Sequence, residues 1–321
     1  MKKTDHNIQR LLILLLAFAV LAGVTKTSEF MKIGNFQTMA KQLSEYGLMA
    51  VGVGICMISG GIDLSTVYIA NLCGIIAGLL MQKNTTPMVA ILVAVAVGLA
   101  CGAFNGYLVS YLKIPAMLAT LGTYQLFMGL AIIASGGSTV SGIPDSYTSF
   151  ATTALFGYIP LSFVVFMIAV ALTSFLMGRT KFGTRIYLVG TNQKAARFSG
   201  IHCNLTLIRA YMLSGLLSAV AGLLSLARIN SAKADFGSSY TMQCILIAVL
   251  GGVNPNGGFG TVPGIAIAVV ILQMMSSYLN MFPSISNYYR DLIWGVALVG
   301  LLIINFALDK RKIKKLSKIS N

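Results

Sequence analysis

The sequence predicts an all-α, polytopic membrane protein with about ten transmembrane helices, and three observations carry that expectation. Of its 321 residues, 56% are hydrophobic and only 10% are charged, whereas a soluble domain carries about 25% charged residues. Apolar runs recur along the chain at close to the roughly 20 residues a helix needs to cross the hydrocarbon. The charged residues collect between those runs and at the chain ends.

The runs lie near 8–24, 44–60, 62–81, 87–108, 115–135, 158–178, 207–227, 241–253, 263–279 and 289–306. Pro87, Pro115, Pro160 and Pro263 each open one, where a missing amide proton costs little. The 241–253 run is too short for a straight crossing and leads into the glycine-rich stretch 251–264, so a broken or re-entrant helix is expected there. Residues 1–24 also have the basic start and apolar middle of a signal peptide. The length of the run and the lack of a small-residue cleavage site favour a retained helix; cleavage would leave nine spans.

With the amino terminus in the cytoplasm and sides alternating, the basic clusters fall inside. They are Lys2, Lys3 and Arg10; Lys113; Arg179, Lys181, Arg185, Lys194, Arg197 and Arg209; and the tail from Lys310 to Lys318. Lys26, Lys32, Lys41, Lys83, Arg228, Lys233 and Arg290 fall outside, which is the asymmetry of a multi-pass inner-membrane protein with both ends in the cytoplasm. The net charge of +15 is thereby accounted for by topology and lipid contact. Nucleic acid is not an expected partner, because the tail lacks interleaved stacking aromatics. The chain is expected to form one transmembrane domain over 1–321, with a cytoplasmic loop at 179–206 and a basic cytoplasmic tail at 307–321. Five spans per half would make the halves inverted repeats, a geometric option that no internal sequence identity supports.

The chemistry on offer is sparse. Cys56, Cys73, Cys101 and Cys244 lie in apolar runs and Cys203 in the basic loop, with neither disulfide nor zinc spacing. His6 and His202 stand alone. No cofactor or metal is expected. The chain has no G-x-x-x-x-G-K-[ST] sequence, acidic pair or nucleophile–base set, so it is not expected to be an enzyme or to hydrolyse ATP. Of the 8 acidic residues, Asp63 is the one expected deep in a span. That scarcity makes energy input from a separate protein simpler than ion coupling, although backbone carbonyls can hold sodium and a self-sufficient secondary transporter or facilitator stays open.

Two segments stand out. In Ser59-Gly60-Gly61-Ile62-Asp63-Leu64-Ser65 the paired glycines can break one helix and Asp63 can cap the next. Capping is worth about 1 kcal/mol, against about 2.5 to 3.5 kcal/mol for an uncompensated charge at the bilayer centre, which favours a structural cap over a solute ligand. In the basic loop, 190–201 reads as a short helix: Thr191 or Asn192 can cap it, Ala195 and Ala196 favour helix and permit close approach, and Gly200 can end it. A small-faced helix suits docking into another protein; a loop held on anionic lipid would need only the same basic composition.

The sequence resembles the permeases of ribose and related carbohydrate ABC importers over nearly its whole length, from about Gly47 to Asn305. The resemblance rests on the Ser59–Ser65 motif, Ile114-Pro115 with Leu118 to Thr123, Ser135-Gly136-Gly137 with Val140 to Asp145, Gly190 to Ile201, and Gly251-Gly252 with Gly257-Gly258-Phe259-Gly260. Thr66-Val67 departs from the valine and glycine common after that serine, and Asn254-Pro255 occupies a variable stretch. The resemblance implies a permease that pairs with itself or a sister permease, receives solute from a periplasmic or lipid-anchored binding protein, and is driven by a cytoplasmic ABC ATPase. It also implies that Asn192, Lys194, Ala195, Ala196, Arg197 and Ser199 belong to the coupling helix. Asp63, Asn105, Gln125, Gly257 and Gly258 are the candidates for a pathway or a helix break. Asn71 and Gln273 could likewise line a sugar pathway or simply bond between helices.

Overall fold

A computed structural model describes residues 2–282 together with positions 289, 292, 293, 295, 296, 299, 300 and 303. The expected run at 289–306 and the basic tail at 307–321 therefore lie almost entirely outside the described residues. Long helices carry the fold: α1 (Lys2–Thr25), α3 (Ile33–Ile58), α4 (Thr66–Gln82), α5 (Pro87–Ser110), α6 (Ala116–Ser135), α8 (Leu161–Arg179), α11 (Cys203–Ile229) and α13 (Val262–Asn280). Shorter helices join them: α2 (Thr27–Phe30), α7 (Asp145–Thr152), α9 (Lys181–Thr191), α10 (Gln193–Phe198) and α12 (Tyr240–Leu250). Two-residue strands complete the order, with β1 (Val140–Ser141) antiparallel to β4 (Ser231–Ala232), and β2 (Ala154–Leu155) to β3 (Ile159–Pro160).

Six helices, α1, α5, α6, α8, α11 and α13, are long and apolar enough to cross a bilayer, and α4 and α12 are shorter apolar helices. The fold is thus an all-α polytopic membrane fold. Outward-facing apolar side chains such as Leu92, Leu118, Ile133, Leu172 and Phe175 are exposed, as lipid-facing positions must be. Pro87 and Pro263 sit in the first turns of α5 and α13, and Pro115 and Pro160 at the N-caps of α6 and α8.

The centre of the bundle is α11, which packs against α5, α3 and α4. Its contact with α5 is made largely of backbone. Gly98, Gly102 and Gly106 repeat every four residues on one side of α5; a Cβ on Gly102 would meet Met212 Cα at 2.9 Å, and one on Gly215 would meet Gly102 Cα at 3.1 Å. Small residues at this spacing let two helices approach closely where lipid supplies no hydrophobic drive between them. On its other sides α11 meets α3 at Gly52 against Ser214, and α4 at Gly74 against Gly222.

Three expectations about the helices need correction. The second run begins not at 44 but at Ile33, because its polar first half is satisfied inside the protein: Ser277 donates to Asn35 (2.7 Å), and Tyr46 and Gln42 bracket Gln273 through bonds of 2.5 and 2.8 Å. The third run starts at Thr66 rather than 62, since 60–65 is non-helical. The basic loop holds two helices, not one. Between α6 and α8 the chain forms α7 and a small hairpin; Tyr147 of α7 donates to the Leu223 carbonyl at 2.8 Å, fixing this excursion to α11. The expected broken span corresponds to α12, whose 11 residues measure only about 16 Å.

Gly102→Val should force the α5–α11 seam apart and cost at least about 1–3 kcal/mol, with loss of monodisperse protein in detergent and a lower melting midpoint. Gly122→Ala, where an added Cβ meets nothing within 4 Å, should leave both unchanged. Equal behaviour of the two variants would contradict the seam.

Candidate functional site

Four of the five singled-out motifs converge at one end of the bundle, where α3 ends, α4 begins, α5 turns into α6, and α9–α10 and the 251–261 loop meet; the Ser135–Asp145 motif lies elsewhere, its Val140–Ser141 strand paired with Ser231–Ala232 after α11. Thr180 opens α9 by accepting from the Gly183 amide. Asn192, extended at φ −158° and ψ 101°, ends α9 and starts α10, and its Oδ1 accepts from the Ala195 amide at 3.0 Å. Ser199 donates to the Ala195 carbonyl at 3.1 Å, and Gly200 turns the chain away at φ +77°.

This small helix has two faces. Ala196, at 5% exposure, packs with Val189, Cys203 and Leu207 inside the protein. The expectation that Ala196 offers a small docking surface is therefore corrected: it anchors α10 to α9 and α11. The outward face holds Lys194, Ala195, Arg197 and Phe198, the last 94% exposed. Phe198 escaped the sequence reading, although an aromatic beside two cations in a short polar helix was the available signal.

A backbone clasp joins this unit to the bundle. The Gly258 amide donates to the Ile58 carbonyl at 2.8 Å. Gly190 sits in the same contact, where a Cβ would meet Gly258 N at 2.8 Å and crowd the Ile58 carbonyl. Gly257, at φ +90°, lies against Gly60; a Cβ there would meet Gly60 Cα at 2.8 Å. Tyr187 of α9 donates to the Gly260 carbonyl at 2.7 Å, and burial pushes its phenol above the ordinary value. Gly257 and Gly258 thus hold the end of α3 to α9.

The break before α4 is tied down by polar groups. Asp63, fully buried, accepts from the Ser65 amide (3.0 Å) and hydroxyl (2.7 Å) with one carboxylate oxygen and from Ser214 of α11 (3.0 Å) with the other. The expected helix cap is corrected to a local turn plus a tie to α11, because Ser65 is the capping residue and no side chain bonds there as a cap. Asn105 of α5 donates to Ser65 Oγ at 2.7 Å, and Thr120 of α6 to the Ile62 carbonyl at 2.9 Å. Gln125 is not brought to this cluster; it lies exposed on α6.

The other half of the bundle carries a second set of contacts, of which the sequence reading named Asn71 alone. Glu45, 1% exposed within α3, takes both Arg228 Nε and Nη2, the latter at 2.9 Å from Oε2. The expectation that Asp63 is the one deep acid is corrected by this pair, whose partners lie 183 residues apart. Asn71 of α4 donates to the Ala234 (3.0 Å) and Phe236 (2.8 Å) carbonyls, drawing the segment after β4 onto the bundle. A cavity of about 50 Å³ lies beside Glu45, Asn71 and Lys233.

Residues 35–304 match the family described as the branched-chain amino acid transport system / permease component. The chain is 32% identical over 297 residues to the Autoinducer 2 import system permease protein LsrC of Yersinia enterocolitica, covering 92% of this chain and 81% of that protein. It is 35% identical over 263 residues to the corresponding protein LsrD of Yersinia pseudotuberculosis, covering 80% and 78%. Its fold is similar to a solved inward-facing conformation of a metal-chelate type ABC transporter, with a TM-score of 0.56 at 15% identity, over 94% of this chain and 99% of that one.

Arg228→Met leaves Glu45 buried without its partner and should cost about 3 kcal/mol, seen as a lower melting midpoint in detergent. Adding Glu45→Leu to the same variant should recover most of the loss, since two apolar groups can replace a buried pair. A double variant as unstable as the single one would contradict the pairing.

Proposed function

The chain belongs to the branched-chain amino acid transport system / permease component family, and from that premise we propose that it is the permease subunit of an ABC importer for sugars or sugar-like solutes. The relatives whose names specify an autoinducer 2 import system support a small solute of this class. A separate cytoplasmic ATPase supplies the energy, a periplasmic or lipid-anchored binding protein delivers the solute, and a second copy or a sister permease completes the pore. The protein spans the inner membrane, with the α9–α10 end in the cytoplasm, as the basic residues Lys113, Arg179, Lys181, Arg185, Lys194 and Arg197 favour.

The observation that carries the mechanism is the clasp among Ile58, Gly190 and Gly258. The outward face of α10, with Lys194, Ala195, Arg197 and Phe198, docks on the ATPase. Asn192, Ser199 and the buried Ala196 hold that face in place. When the ATPase pair closes on ATP, force on α10 passes through α9 to the end of α3 and to the loop between α12 and α13, without a soft side-chain contact in between. Asp63 and Asn105 keep the break before α4 rigid, so displacement reaches the spans rather than being absorbed locally. The Glu45–Arg228 pair and the Asn71 contacts hold the outer end shut while the inner end is open. Exposed Gln125 on α6 faces either lipid or the second permease copy.

Vesicles carrying this chain, its ATPase and its binding protein should take up a radiolabelled pentose or hexose only with ATP and all three proteins. Uptake by this chain alone, indifferent to ATP, would instead make it a facilitator. Phe198→Asp should lower ATPase co-purification and reduce uptake about tenfold or more, since a central aromatic anchor is worth about 2 kcal/mol or more, while the melting midpoint stays unchanged. Undiminished uptake in that variant would remove Phe198 from the docking face.

A further inference from the structure

Between α7 and α8 the chain makes a hairpin, β2 to β3, whose tip is apolar and bare. Leu155, Phe156, Tyr158 and Ile159 are all exposed, Phe156 at 89% and Tyr158 at 62%, and no charged residue occurs between Asp145 and Arg179. Phe156 and Gly157 both hold left-handed backbone, at φ +53° and +75°. Asn-Gly ordinarily fills such a pair, and a bulky aromatic at φ > 0 is an outlier. A turn that accepted this strain only to present a phenyl ring to water would lose twice. Gln37 of α3 fixes the tip from behind, donating to the Gly157 carbonyl at 2.8 Å, and Ile33 and Phe36, close to Gln37 on the same helix, are exposed as well.

The length of α8 decides what the tip meets. Leu161 follows β3 directly and opens α8, whose 19 residues rise about 28 Å, against a hydrocarbon thickness of about 30 Å. Arg179 in the last turn holds the other end at the headgroups, since a cation within the hydrocarbon is costly. The start of α8 therefore lies at the hydrocarbon edge, and any tilt only draws it deeper, which sets β2 and β3 at headgroup depth. The wall below them already faces lipid, with Met167, Ile168, Leu172 and Phe175 exposed on α8. We propose that the 155–159 hairpin inserts Phe156 and Tyr158 into the boundary between headgroups and acyl chains, as an anchor for the outer end of α8. Tyr158 has the apolar body and polar tip that suit this depth, and lipid covers the Phe156 ring that the protein leaves bare. A water-borne protein is the poorer occupant, because the tip lies at headgroup depth rather than clear of it. Since α8 packs against α9, the anchor keeps α8 from sliding along its axis when α9 is pushed. The inference rests on the proposed function only for this last consequence and for naming the leaflet as the outer one.

The test uses the full chain in nanodiscs of phosphatidylethanolamine and phosphatidylglycerol, with neither ATPase nor binding protein, so it can fail independently of the transport reading. The native cysteines are buried, and a nitroxide on Tyr158→Cys is compared with one on Lys83→Cys, exposed in the turn between α4 and α5. Relaxation by oxygen, which concentrates in lipid, and by a water-soluble nickel chelate reports the depth of each label. The oxygen-to-nickel accessibility ratio at 158 should exceed that at 83 several-fold. Phe156→Asn should bring it most of the way down with the melting midpoint unchanged or raised, because asparagine tolerates φ > 0. A ratio at 158 no higher than at 83 overturns the proposal. So does a high ratio that survives Phe156→Asn, which would make the depth a property of α8 alone. Nickel access at 158 that is lost only when the binding protein is added overturns it too, and would make the tip that protein's docking surface.

Discussion

The close backbone contact between α5 and α11 sets the positions of everything else described. Lipid tails are as apolar as leucine, so helices in a membrane gain little by hiding leucines from them and rely on packing and interhelical bonds. Gly98, Gly102 and Gly106 on α5 and Gly215 on α11 bring the two backbones together. With α11 seated so deeply, Ser214 reaches the Asp63 carboxylate and Tyr211 comes to line a cleft beside α10. A bulkier seam would withdraw both.

The two ends of the bundle solve different problems with different materials. Away from α10, long-range polar contacts join the helices: the buried Glu45–Arg228 pair, Asn71 on two carbonyls, and Gln273 between Tyr46 and Gln42. Such contacts break and re-form as discrete units. At the α9–α10 end the key contacts are backbone to backbone, at Ile58, Gly190 and Gly258. Those surfaces have no rotamers to yield, which suits the transmission of force.

Much of the fold was legible in the sequence, for identifiable reasons. Apolar runs and helix-opening prolines report directly on lipid exposure and backbone chemistry, so α5, α6, α8 and α13 lie close to where they are expected. The α10 cap at Asn192 and the turn at Gly200 are local features and were equally readable. What was not readable depends on partners distant in sequence. The polar half of α3 looks like a loop until Ser277 and Gln273 are placed beside it. Glu45 looks like a boundary residue until Arg228 arrives from 183 residues away. The inward turn of Ala196 depends on Val189, Cys203 and Leu207. The Gly98–Gly102–Gly106 repeat was visible at its spacing, but no sequence feature named the helix it would meet.

The central claim is that α10 and the 251–261 loop move as one body when the ATPase acts. All five cysteines, Cys56, Cys73, Cys101, Cys203 and Cys244, are buried, so spin labels can be placed selectively on cysteines introduced at the exposed positions Gln193, Asn256 and Lys83. Distance measurements on the assembled complex, nucleotide-free and ATP-trapped, would read the motion directly. The account predicts an unchanged Gln193–Asn256 distance while the Gln193–Lys83 distance changes between states. A Gln193–Asn256 distance that shifts with ATP would show α10 moving independently of the clasp and would contradict the account.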